Sequence, residues 1–80
     1  MKLWLLVYYN NTTREYLSQY YAEDEREQLL SGIVSLSEQT GWEGFKTITD
    51  RLITEDNDHY MYSSIDKMVS VELHDISGIF

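Results

Sequence analysis

Eighty residues carry fourteen Asp and Glu against six Lys and Arg, a formal charge of −8, with no Cys and no Pro. A chain of this length makes one domain, 1–80, and the lack of Cys excludes disulfides and thiolate metal sites. So acidic a surface repels a phosphate backbone, whose binding rests on Lys and Arg, so direct contact with nucleic acid is not expected.

Leu3 to Tyr9 is apolar at every position and reads as a strand covered on both faces. It is too short to span a bilayer and lacks the cleavage site of an export signal, so no membrane association and a cytoplasmic location are expected. Asn10-Asn11-Thr12-Thr13 is a polar turn. Glu15 to Tyr21 then alternates, with Leu17 and Tyr21 on one face and Tyr16, Ser18 and Tyr20 on the other, completing a β-hairpin.

Carboxylates cluster at Glu23, Asp24, Glu25 and Glu27, where a helix N-terminus favours them. Asp24 is the expected N-cap, with Glu27 three residues later in a capping-box relation. Leu29, Ile33 and Leu36 form an apolar stripe, and Gly32 inside it marks a close helix-on-sheet contact. Gly41 ends the helix.

Thr47 and Thr49 alternating with Ile48 read as a strand over Phe45 to Ile53. A turn at 54–58 leads to a strand from His59 to Ser63. A break at Ser64 to Lys67 precedes a final strand from Met68 to His74. The expected order is ββαβββ: an α+β fold with an antiparallel sheet of about five strands and one helix on one face. The uncovered face is left for aromatics drawn from Tyr8, Tyr16, Tyr20, Tyr60 and Tyr62, and the sequence does not fix which face each occupies.

Few residues match a known chemistry. Glu55-Asp56-Asn57-Asp58 fails as an EF-hand, since a loop counted from Asp56 has Met61 and Lys67 where Gly and Glu are required. His59 and His74, the only histidines, fall on neighbouring expected strands with Glu72 nearby. Their spacing matches no HxH, HxxxH or HExxH pattern, so they read as surface strand residues and no metal site is expected. No Ser lies in a GxSxG context, and the four Gly fit no phosphate-binding spacing. No enzymatic activity, catalytic residue or cofactor is expected.

An acidic field favours a basic protein partner, and Tyr is favoured at interface centres. The residues expected to meet that partner are Glu23, Asp24, Glu25, Glu27, Glu55, Asp56, Asp58, Tyr60 and Tyr62.

The run Tyr60 to Leu73 resembles a strand–turn–strand pattern of small proteins from Gram-positive bacteria and their phages. In size, acidity, absence of Cys and lack of catalytic motifs, the whole chain is similar to the anti-CRISPR proteins, phage-encoded inhibitors of bacterial defence. The resemblance implies a stoichiometric inhibitor that occupies a nuclease or its nucleic-acid channel, presenting carboxylates where phosphates would lie. The alternative is a small self-associating regulatory or structural domain with a Tyr-rich dimer interface. A third reading, a sponge for a small signalling nucleotide, requires Arg14, Arg26, Lys46, Arg51 and Lys67 to converge.

Overall fold

The structure, a computed structural model, describes residues 2–79. Four strands and two helices follow in the order β1 (Trp4–Asn10), β2 (Glu15–Tyr21), α1 (Arg26–Thr40), α2 (Phe45–Thr54), β3 (His59–Ser63) and β4 (Val69–Asp75), with a 3-10 turn at Ser77–Ile79. The sheet is antiparallel throughout, in the order β2-β1-β4-β3. The α+β class and the antiparallel sheet agree with the sequence. The expected five strands and single helix do not.

The difference lies at 45–54. Phe45, Ile48, Thr49 and Leu52 are all buried, a spacing of i, i+3, i+4 and i+7 that puts them on one face of a helix. A strand would bury one parity only, leaving either Phe45 and Thr49 or Ile48 and Leu52 outside. The β-branched threonines favour a strand; burial of both parities against the sheet overrides that propensity. Gly44 starts this helix at φ 93°, a left-handed conformation that glycine adopts without steric cost.

One sheet face is covered by the helices. Trp4, Leu6 and Tyr8 of β1, Val69, Val71 and Leu73 of β4, and Tyr60 of β3 meet Leu29 and Ile33 of α1 and Phe45, Ile48 and Leu52 of α2. Each fully buried large apolar side chain contributes about 1.5–3 kcal/mol. Trp42, in the link between the helices, stacks on Tyr8 at 4.0 Å, and Phe45 meets both rings edge-on. The Trp42 indole N–H donates to Glu15 at 2.9 Å, so its polar edge is satisfied.

Gly32 fulfils its expected role: a Cβ there would lie 3.0 Å from the Tyr21 ring on β2, so α1 approaches the sheet at this point. Gly41 caps α1 in the left-handed conformation, its N–H donating to the Ser37 carbonyl. The N-terminus differs from expectation. Glu25, not Asp24, is the N-cap, and no side chain caps the helix. The Asp24 carboxylate instead accepts the Lys2 backbone N–H at 2.6 Å, fastening the chain before β1 to the chain before α1.

β1 is covered on one face only. Its outward side chains Leu5, Val7 and Tyr9 are half-buried between neighbouring strands. Of the tyrosines that could occupy the uncovered face, Tyr16 and Tyr20 are there, joined by Tyr9. Tyr8 and Tyr60 belong to the core, and Tyr62 lies half-buried on the helix side. Strand parity decides this: Tyr8 pairs with Val71, and Tyr60 with Leu73, both inward-facing residues of β4.

Candidate protein-binding surface

The two acidic segments named from the sequence, 23–27 and 55–58, lie far apart in the chain, yet they meet. β2 ends and β3 begins at the same end of the sheet, since Trp4 pairs with both Tyr21 and Asp75 while His59 pairs with His74. Glu23 to Glu27 follows β2, and Glu55 to Asp58 precedes β3. Both therefore emerge at that end.

Arg26 joins them. Its guanidinium donates to Asp56 at 2.8 Å, to the Leu52 and Glu55 carbonyls, and to the Tyr60 hydroxyl at 2.6 Å. The Tyr60 hydroxyl also donates to the Glu55 carbonyl at 3.0 Å and accepts the Asn57 N–H at 3.1 Å. The first turn of α1, the end of α2 and the start of β3 are thus held by one cation and one phenol. Charge-assisted bonds of this kind are about twice as strong as neutral ones.

Glu25, Glu27, Glu55, Asp56 and Asp58 are exposed, as is Asp24; Glu23 is half-buried. The sequence did not single out Asp75, which this end also carries, 3.9 Å from the Lys2 ammonium. Asp75 accepts the hydroxyl and the backbone N–H of Ser77, and these bonds, with Lys2 beside it, hold its carboxyl below the usual carboxylate range.

Tyr60 lies in the core and Tyr62 is half-buried on the helix side of the sheet. Tyr60 is 2% exposed and acts from within, supporting the acidic loop through its hydroxyl. Tyr62 lies beneath Gly44 and donates to Glu43 at 3.0 Å, a bond that raises the phenol above its ordinary range. Tyrosine count alone carries no sign of which face a strand turns inward, which is why sequence reasoning placed both at the surface.

Beside the acidic end, Arg26, Glu27, Leu30, Leu52 and Ile53 line an open hollow of about 320 Å³ between α1 and α2. Ile53 is 67% exposed and Leu30 half-buried, so the hollow has an apolar floor and a charged lip. Sequence reasoning missed Leu52 and Ile53 because 45–53 reads as a strand; on a helix, Ile53 stands outside the buried stripe.

A second surface is the uncovered sheet face. Leu5, Val7 and Tyr9 form its centre, flanked by Tyr16, Ser18 and Tyr20 of β2. Tyr9 and Tyr16 stack with centroids 6.5 Å apart, and Tyr16 and Tyr20 are 66% and 58% exposed. The basic residues do not gather into one site. Arg26 is held within the acidic end, whereas Arg14 and Lys67 occupy left-handed turn positions at the opposite end of the sheet. No helix among the described residues is long and apolar enough to cross a membrane. Comparison with family models, with curated proteins and with solved structures finds no match for this chain.

Proposed function

We propose that this chain is a protein-binding module whose acidic end docks on a basic surface, acting as a stoichiometric inhibitor rather than as an enzyme. The supporting observation is the convergence of Glu23 to Glu27 with Glu55 to Asp58 around Arg26. Carboxylates concentrated on one end of a molecule of charge −8 steer encounter with a cationic groove. The adjoining hollow at Leu30, Leu52 and Ile53 offers an apolar anchor, which a charge pair at a rim does not supply. The surface that fits is one built to hold nucleic acid, and a defence nuclease of the CRISPR type met by a phage-borne inhibitor is the specific form of the reading.

The test is charge reversal at Glu25, Glu27, Glu55 and Asp58, all exposed. The wild-type chain, used as bait in a bacterial lysate and then titrated against the purified partner, is expected to recover a nucleic-acid-binding protein stoichiometrically and to block its nucleic acid. The quadruple variant should fold and lose both. Retention of the partner by a folded variant removes the acidic end from the mechanism.

The uncovered sheet face favours a second reading, a self-associating domain. Leu5, Val7, Tyr9, Tyr16 and Tyr20 form a contiguous apolar and aromatic surface of the sort that a second copy covers. Sedimentation decides it: a strict monomer at micromolar concentration excludes the dimer, whereas a dimer dissociated by Tyr16→Glu with Tyr20→Glu supports it.

A further inference from the structure

We infer that His59, Glu72 and His74 form a binding site for a divalent transition-metal ion of the zinc class, on the uncovered face of the sheet where β3 meets β4. The chain has two histidines. They lie fifteen residues apart, with no metal-binding spacing, yet the β3–β4 register sets them directly opposite one another. The Asp75 N–H donates to the Asp58 carbonyl at 2.8 Å, and the Ser64 N–H to the Val69 carbonyl at 3.0 Å. These bonds make His59–His74 a non-hydrogen-bonded pair of the ladder, the kind in which opposed Cα atoms are only about 4.5 Å apart and side chains approach most closely. Their rings stack with centroids 4.4 Å apart and planes 14° from parallel.

Glu72 completes the set because it is two residues from His74 on the same strand and so projects from the same face. Its carboxylate oxygen lies 3.5 Å from His74 Nε2. One ligand atom from each of the three side chains falls within 4.8 Å of the others. Around an ion with Zn–N and Zn–O distances near 2.0–2.1 Å, tetrahedral donors stand roughly 3.3 Å apart, so small side-chain rotations close the site. His59 is exposed while Glu72 and His74 are half-buried, so an ion can enter and a fourth position stays open to water or to a further ligand.

The surroundings suit a cation. The same-face neighbours of the triad across the strands are Leu5 beside His74, and Val7 and Met61 beside Glu72, all uncharged. Two imidazoles with one carboxylate prefer zinc, nickel or copper ions to magnesium or calcium, which take oxygen ligands. The site ties the edge strand β3 to the central strand β4, so bound metal stabilises that edge.

Zinc chloride titrated into the full chain, followed by calorimetry and by the imidazole carbon-bound proton resonances, tests the proposal. With only two histidines, each signal has a unique owner. The expected result is saturable binding of one ion per chain, with both imidazoles shifted together and a melting temperature that rises with zinc. His59→Ala, His74→Ala and Glu72→Gln should each weaken binding about tenfold or more. One ion per two chains with both imidazoles shifted also supports the site, and places the fourth ligand on a second copy. Imidazole signals unmoved at saturating zinc, movement of only one, or equal binding by the His59→Ala/His74→Ala double variant would each overturn the site and assign the metal to the acidic surface. The resonances are read on the wild-type chain, so the outcome stands even where a variant folds poorly.

Discussion

Gly44 and Arg26 show how single residues hold this molecule together in different ways. At Gly44 the backbone has φ 93°, and a Cβ would lie 2.2 Å from the Tyr62 ring. Gly44→Ala therefore adds a left-handed strain of about 1 kcal/mol to a steric overlap that Tyr62 must move to relieve. A loss of about 2–4 kcal/mol is expected in chemical denaturation. Arg26 contributes bonds rather than shape. Arg26→Ala takes one donor each from the Leu52 and Glu55 carbonyls and the Tyr60 hydroxyl, of which Glu55 keeps the Tyr60 O–H and Tyr60 keeps the Asn57 N–H, and it removes a positive charge from among carboxylates. A destabilisation of about 1–3 kcal/mol is expected in the same measurement, and Arg26→Lys should restore only part of it, because a point charge cannot reproduce the planar fork.

Asp75 gives the residue scale a pH dependence. Its carboxyl is held low in the folded chain by the Ser77 hydroxyl and N–H, with Lys2 nearby. The unfolded chain therefore takes up the proton first as pH falls. The stabilisation is fully present above the ordinary aspartate range and is lost as pH drops through the lower folded value. Urea unfolding below about pH 4 should accordingly show a shallower loss of stability in Asp75→Asn than in the wild-type chain. Equal slopes would remove Asp75 from the acid response.

Among the elements, α2 decides the architecture. Because it is a helix, Phe45→Ala and Ile48→Ala both empty the core and should each cost about 2–5 kcal/mol. Ile53→Ala, on the exposed side, should change stability by no more than about 0.5 kcal/mol. A strand would protect one parity, making either Phe45 or Ile48 tolerant. If Ile53 anchors a partner in the hollow between α1 and α2, Ile53→Ala weakens binding while leaving the unfolding midpoint unchanged, which separates its two possible roles.

At the scale of the whole molecule, charge distribution is the dominant property. The connections that follow β2 and precede β3 put two acidic segments at one end, so the field there exceeds what a net −8 spread evenly would give. Docking driven by that field weakens with salt. If the acidic end docks on a basic partner as proposed, the affinity should fall steadily as sodium chloride rises across the physiological range, through slower association. Binding that is indifferent to salt would move the contact to the uncovered sheet face.

What local physics can enforce was legible in the sequence. It showed the alternation of Glu15 to Tyr21, the stripe of α1 with its Gly41 cap, the turn before β3 (55–58, with Thr54 taken into α2) and that at 64–67, and the acidity of both segments. These depend on neighbours a few residues away, so their signals are written in short windows. The tertiary structure alone decided the rest. Phe45–Thr54 is a helix because a core already built by β1, β4 and α1 buries both Phe45 and Ile48. Tyr60 is inside because its partner Leu73 is, and Tyr16 is outside because Tyr9 is. The meeting of Glu23 to Glu27 with Glu55 to Asp58, and of His59 with His74, follows from strand order and register. Those are long-range pairings, and a one-residue slip would turn every side chain to the other face.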